Sequence, residues 1–155
     1  HLVLSTLHTN DAPSSLTRLH DLGVQPFLTA ATILGVLAQR LVRQLCPHCK
    51  AETFINDQEW KHLTFDYNVK TPEFVFKAVG CEACRHTGYK GRVGIYEFMP
   101  LSLETKHLIG AHADLAQLRL QARKEGIEPL RIAGARKVVA GITTLEEVLR
   151  VVPLN

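Results

Sequence analysis

The chain has 155 residues, 46% of them hydrophobic and 21% charged, and a formal net charge of +3. That is the composition of a soluble globular protein, long enough for one ordinary domain or for a piece of a larger one. The mild positive charge does not demand a nucleic-acid partner. The longest apolar stretch, Phe27 to Ala38, is too short to cross a bilayer and is interrupted by Thr29 and Thr32. No segment reads as a secretory signal peptide.

In chain order, "LVLSTL" (2–7) is an apolar run that suits a buried strand. Because His1 already falls inside this pattern, the chain reads as cut at its N-terminus. The polar loop "HTNDAPSS" follows. Asp11 or Ser14 is placed to cap a helix over "SSLTRLHDLG", and Gly23 is placed to end it. Pro26 then opens an apolar series: Phe27, Ala30, Ala31, Leu34, Leu37, Ala38, Leu41 and Leu45. Its spacing predicts one mostly buried helix ending near Cys46, with Gln39, Arg40 and Arg43 as its polar members. One strand, a polar loop and two helices suggest an α/β layer.

Residues 50–73 are mixed and polar, with a short helix expected near 57–63. "EFVFKAV" (73–79) and "RVGIYEFM" (92–99) read as the two strands of a β-hairpin, with Val93, Ile95 and Phe98 anchoring the second and Pro100 ending it. Four helices are then expected, over "SLETKHLIG", "ADLAQLRLQARKEG", "PLRIAGARKVVAG" and "TTLEEVLRVV". Asp114 with Gln117, and Thr143 with Glu146, have the spacing of capping boxes, and Gly110, Gly126 and Gly141 mark helix ends.

Two Cys-x-x-Cys pairs stand out: Cys46 with Cys49, and Cys81 with Cys84. Two intervening residues let the chain fold back as a knuckle, so each pair can chelate one ion, and four thiolates suit a closed tetrahedral zinc site. The pairs lie farther apart than in a short zinc ribbon, but a longer loop adds only about 0.6 kcal/mol per doubling of length. Disulfides and redox-active thiols are the competing readings; the absence of a secretory signal argues against the first. His48 and His86 lie close enough in sequence to replace a ligand, although solvent-facing knuckle positions suit them better.

At this point the residues match a family. "HLVLSTLHTNDAPSSLTRLHDLGVQPFL", "GVLAQRLVRQLCPHCK", "GCEACRHTGYKGRVGIYE" and the closing "GITTLEEVLRVV" resemble the ATPases of type II secretion systems and of type IV pilus assembly. The resemblance covers nearly the whole chain, and only 50–79 lacks a recognisable signature. It implies an α/β fold: the C-terminal part of a RecA-like P-loop ATPase core, a tetracysteine zinc subdomain and a helical C-terminal subdomain. The corresponding segments are 1–45, 46–99 and 100–155. It also implies a homohexameric, cytoplasmic ATPase peripheral to a bacterial inner membrane, working on a membrane platform protein with ATP and Mg2+. Pilus-retraction relatives generally lack the tetracysteine element, which favours secretion or assembly. The 155 residues contain no G-x-x-x-x-G-K-[ST] phosphate loop, so this stretch alone is not expected to hydrolyse ATP.

The resemblance also assigns candidate site residues. "STLHTN" matches the family's histidine box, which implies that His8 donates toward the terminal phosphate or couples that phosphate to the neighbouring domain, with Thr6, Thr9 and Asn10 orienting it, against the plainer reading of a loop histidine with a satisfied backbone partner. Arg18, Gln39 and Arg40 are candidates for a nucleotide or subunit boundary, against the plainer reading of a salt bridge to the core. Arg131, Arg136 and Lys137 form either a solvated helix face or a subunit, platform or lipid contact. The alternative to a motor is a zinc-stabilised module binding nucleic acid or protein. Arg85, Tyr89, Lys90 and Arg92 give a faint basic-aromatic pattern for it, but the basic residues are too diluted by acids to argue for nucleic acid.

Overall fold

The structure is a computed structural model describing residues 1–65 and 67–152; the last three residues of the expected helical segment, 153–155, lie outside them. The chain divides into two units. One joins His1–Ala38 to Glu97–Glu128, and the other joins Gln39–Tyr96 to the chain from Pro129 onward.

The first unit is built on α1 (Ala12–Asp21), α2 (Pro26–Thr32), α4 (Leu103–Gly110) and α5 (Leu115–Lys124). Asp11 starts α1: its Oδ1 accepts from the Ser14 N–H at 2.8 Å, and Ser14 Oγ accepts from the Asp11 N–H at 3.2 Å. Arg119 on α5 donates to the other oxygen of Asp11 at 2.6 Å, which ties the two helices at their polar edge. The first N–H of α1, at Ala12, donates to the buried carboxylate of Glu97 at 3.1 Å. An acid there satisfies an orphan donor and faces the positive end of the helix. Leu16, Met99, Ile109, Leu118 and Ala122 fill the interior.

In the second unit, β2 (Ala51–Thr53) pairs antiparallel with β3 (Val75–Lys77), with Glu52 opposite Phe76. Helix α3 (Asp57–Leu63) is capped by Asn56, whose Oδ1 accepts from Gln58 N–H at 2.9 Å. It buries Trp60, whose indole N–H donates to Val69 O at 3.3 Å. Helices α6 (Leu130–Val139) and α7 (Leu145–Val151) pack Leu130, Ala135, Val138, Leu145 and Val148 inward. Two longer strands, β1 (Gly35–Leu45) and β4 (Tyr89–Pro100), are hydrogen-bonded to each other. Among the described residues no helix is long and apolar enough to cross a membrane.

The α/β character and α3 to α7 agree with the sequence reading, and so does the capping box of Asp114 and Gln117. Five expectations are corrected. Residues 2–7 form no strand; Leu2, Val3 and Leu4 are at least three-quarters exposed, with no ladder partner among the described residues. The helix expected to reach Cys46 stops at Thr32, and residues 35–45 are strand β1. Its buried residues are Ala38, Val42 and Leu45, a four-then-three spacing that imitates a helix; pairing with β4 decides otherwise. The expected hairpin of 73–79 with 92–99 does not form, because β3 pairs with β2 and β4 with β1. Phe98 faces outward, and Met99 takes the anchoring place expected of it, since the buried series is Ile95, Glu97, Met99. Thr144, one residue beyond the expected Thr143, caps α7 by accepting from the Glu147 N–H at 3.3 Å.

Glu147 is the most consequential of these residues. Its side chain is fully buried, yet it meets two guanidinium groups. Arg43 of β1 donates through Nε at 3.0 Å and Nη2 at 2.8 Å, and its backbone N–H adds a third bond at 2.9 Å. Arg150 donates from the next turn of α7 at 3.0 and 2.6 Å. Arg43 also stacks 4.1 Å from the centre of the Tyr89 ring. Burial alone would push the Glu147 carboxyl up; the hydrogen bonds from Arg150 and Arg43 outweigh it and bring it down to about 2. The carboxylate therefore stabilises the fold above its ordinary value of 4.5, and that contribution is lost as pH falls from there toward 2. Glu147→Gln is expected to destabilise this unit by about 3 kcal/mol at pH 7, since both cations can still reach solvent. Urea melts at pH 7 and pH 3 test this: the gap between variant and parent should narrow at pH 3, and an unchanged gap would contradict the assignment.

Candidate metal centre

The cysteine pairs sit on two tight turns whose backbone is set locally. In the first, the N–H groups of Cys49 and Lys50 return to Cys46 O at 3.4 and 3.1 Å. In the second, Glu82–Cys84 form a single 3-10 turn, followed by Arg85 and His86 in the left-handed region at φ 53° and 60°. His86 N–H closes back to Cys81 O at 2.8 Å. Gly80 and Gly88 bracket this turn with φ of 115° and 75°. A Cβ on Gly80 would lie 2.6 Å from His86 O, and one on Gly88 would lie 2.6 Å from the Cβ of Ala78. Backbone conformation and space both demand glycine at these two positions.

The turns bring four sulfurs together, all within 4.8 Å of one another. Cys46 Sγ lies 3.9 Å from Cys81 Sγ; Cys84 Sγ lies 3.8 Å from both Cys49 Sγ and Cys81 Sγ. All four thiols are free, and these separations far exceed the ~2.05 Å of a disulfide bond. A zinc ion with sulfurs at about 2.3 Å generates a tetrahedron whose edges are about 3.8 Å. The donor set therefore fits a tetrahedral thiolate-bound ion and leaves no open position for a reacting water.

Backbone donors favour thiolates here. The N–H of Gly80 points to Cys49 Sγ at 3.3 Å, while those of Cys81 and Gly88 point to Cys84 Sγ, each at 3.2 Å. Burial pushes the Cys84 thiol up, but the two N–H groups outweigh it and lower the pKa to about 6. At Cys49 burial dominates and raises it to about 11. Cys84 therefore gives up its proton to a metal more readily than Cys49.

The histidine candidates near the turns, His48 and His86, are exposed and are not among the converging donors. In the first unit, His8, Thr6 and Asn10 are exposed, and Thr9 is half-buried with Oγ1 2.7 Å from Ser15 Oγ. Arg18 is exposed on α1. Arg40 is half-buried on β1 in the second unit, with Nη1 donating to Gln39 O at 3.2 Å. Arg131 donates to Phe65 O and stacks 5.5 Å from the Tyr67 ring centre; Arg136 is exposed and Lys137 half-buried.

Sequence reasoning missed three residues around the centre, Lys50, Thr144 and Glu147, and singled out Tyr89 only for a basic-aromatic pattern. Lys50 Nζ donates to Gly141 O at 2.9 Å and stacks 4.5 Å from the Phe76 ring centre. Tyr89 Oη lies 2.9 Å from Thr144 Oγ1. A signal for the last two was present, since Thr144 and Glu147 also have capping-box spacing.

The sequence matches the family described as Type II/IV secretion system protein over residues 1–150. It is 71% identical over its whole length to the type IV pilus assembly ATPase TfpB of Acinetobacter baylyi. It is 46% identical over 97% of its length to the type II secretion system ATPase E of Vibrio cholerae. It is 44% identical over 96% of its length to the type IV pilus assembly ATPase PilB of Thermus thermophilus. The chain spans 26%, 29% and 17% of these three relatives respectively.

Elemental analysis of the purified protein is expected to give one zinc per chain, falling to a small residue in Cys84→Ser. Gly88→Ala leaves all four ligands in place but strains their turn, so it should lose zinc to a chelator at least about tenfold faster. Equal chelation rates would show that the turn geometry is not what holds the ion.

Proposed function

The chain belongs to the Type II/IV secretion system protein family, and from that premise we propose that it is the C-terminal part of an ATPase motor that drives type IV pilus assembly or type II secretion. The observation that carries this reading is a match running through the whole chain to ATPases of both machineries. The 71% identity to a pilus assembly ATPase, against 46% to a secretion ATPase, favours pilus assembly. The module reading, a zinc-stabilised nucleic-acid or protein binder with no ATPase history, has no comparable support.

In this proposal residues 1–45 end a RecA-like core, 46–99 form the zinc subdomain and 100–155 form the helical C-terminal part. Cys46, Cys49, Cys81 and Cys84 hold a structural zinc, whose closed shell supplies rigidity and no reaction chemistry. ATP and Mg2+ bind mainly through a phosphate loop elsewhere in the motor, since these 155 residues contain none. His8 reaches toward the terminal phosphate, with Thr6, Thr9 and Asn10 orienting it and Arg40 at a nucleotide or subunit boundary. The exposure of His8 leaves it free to meet such a partner.

The intact protein works as a homohexamer at the cytoplasmic face of the inner membrane and passes its motion to a membrane platform protein. Nucleotide-dependent domain movement would be a population shift driven by differential ATP affinity. His8→Ala in the intact protein is expected to lower Mg-ATP hydrolysis by at least about tenfold with nucleotide binding retained. Unchanged hydrolysis would remove His8 from the mechanism. Deleting the protein from its host should abolish surface pili and spare protein secretion; the reverse phenotype would assign it to secretion.

A further inference from the structure

We propose that metal occupancy of the four-cysteine centre controls the docking of helices α6 and α7, so that the ion acts as a lock on these helices as well as a clamp on its own loops. This rests on the reading of the centre as a zinc site and extends it to a part of the chain that holds no ligand. The juxtaposition that carries it is the convergence of both cysteine turns on one short segment, Gly141–Thr144, which joins α6 to α7.

Four contacts make that connection, three from residues next to the cysteine turns and one from the strand that leads into the first. Leu45, immediately before Cys46, donates its N–H to Ile142 O at 2.8 Å. Lys50, immediately after Cys49, donates Nζ to Gly141 O at 2.9 Å. Tyr89 follows Gly88, whose N–H points to Cys84 Sγ and whose carbonyl accepts from Cys46 N–H at 2.9 Å. The phenol of Tyr89 pairs with Thr144 Oγ1 at 2.9 Å, at the N-cap of α7. Thr143 Oγ1 adds a bond to Arg43 O at 2.8 Å, on the strand that leads into the first turn.

The physical consequence follows from what holds each turn in place. The two knuckles come from segments 35 residues apart; the Cys46 N–H to Gly88 O bond, the Gly80 N–H to Cys49 Sγ bond and the flanking β1–β4 and β2–β3 pairings bring them together, and the four sulfurs between them are placed to share one ion. Four closely spaced thiols without an ion have no strong attraction for one another, and as thiolates they repel. Removing the ion takes away the tightest tie between the first knuckle, which carries Leu45 and Lys50, and the second, which carries Tyr89, and leaves the strand pairings on either side to hold them. The α6–α7 turn then loses anchors that were fixed relative to each other, and local opening becomes easier there. The first unit makes none of these contacts, so its helices α1, α4 and α5 serve as an internal control.

Hydrogen exchange on the intact protein, zinc-loaded and then stripped by a chelator, tests this after metal content has been measured on both samples. Amides of 142–151 are expected to exchange at least about tenfold faster once zinc is removed, while those of α1, α4 and α5 stay unchanged. Absence of zinc in the loaded sample would overturn the metal reading and this proposal with it. Stoichiometric zinc with unchanged exchange over 142–151 would overturn this proposal alone, as would an equal acceleration everywhere. Lys50→Met separates the lock from the ligands: one zinc per chain should remain bound while exchange at 142–145 quickens. Exchange in that variant matching the parent would remove Lys50 from the connection and count against the lock.

Discussion

Four sulfurs held within 4.8 Å are the constraint around which the second unit is organised. Thiols do not gather in this way by hydrophobic packing, and as anions they repel; the geometry makes sense as a shell for a cation. Several otherwise odd features follow from that closure. Arg85 and His86 adopt left-handed backbone, and Gly80 and Gly88 sit where any side chain would collide. Backbone N–H groups are turned toward sulfur, which spares them from pairing with carbonyls. Four thiolates around one ion leave no vacant position, so a metal held there would act mechanically, tying together two segments distant in sequence.

A second electrostatic device sits beside it. Glu147 is buried as a carboxylate because Arg43 and Arg150 supply five charge-assisted or backbone hydrogen bonds between them. Burying one acid between two half-exposed cations avoids the desolvation of a whole ion pair while still fixing α7 on β1. Tyr89 serves both devices, stacking under Arg43 and reaching Thr144 at the start of α7. Helices α6 and α7 are thereby tied to the cysteine turns through Tyr89 as well as through Glu147.

The first unit depends on ordinary capping. Asp11 serves its own helix and Arg119 of α5, and Glu97 supplies the acceptor for the first N–H of α1. Its apolar interior is modest, and Phe27, Leu34, Leu37 and Phe98 remain exposed. That pattern agrees with a chain spanning about a quarter of its pilus assembly relative from Acinetobacter baylyi.

The sequence alone determined what depends on near neighbours. The two Cys-x-x-Cys pairs announce the four-sulfur cluster because two residues are the spacing a knuckle needs. The caps at Asp11 and Asp114 start helices because their side chains bond to N–H groups three residues on. Only the tertiary structure decided that 35–45 is a strand, because Ala38, Val42 and Leu45 bury themselves at the four-then-three spacing of a helix and only the pairing with β4 overrides it. It also decided that β4 pairs with β1 and β3 with β2, since hydrogen-bond partners in a sheet lie far away in sequence. It made Glu147 a buried carboxylate for the same reason: the cation on β1 that keeps it charged lies about a hundred residues upstream in the chain, and no local pattern names it.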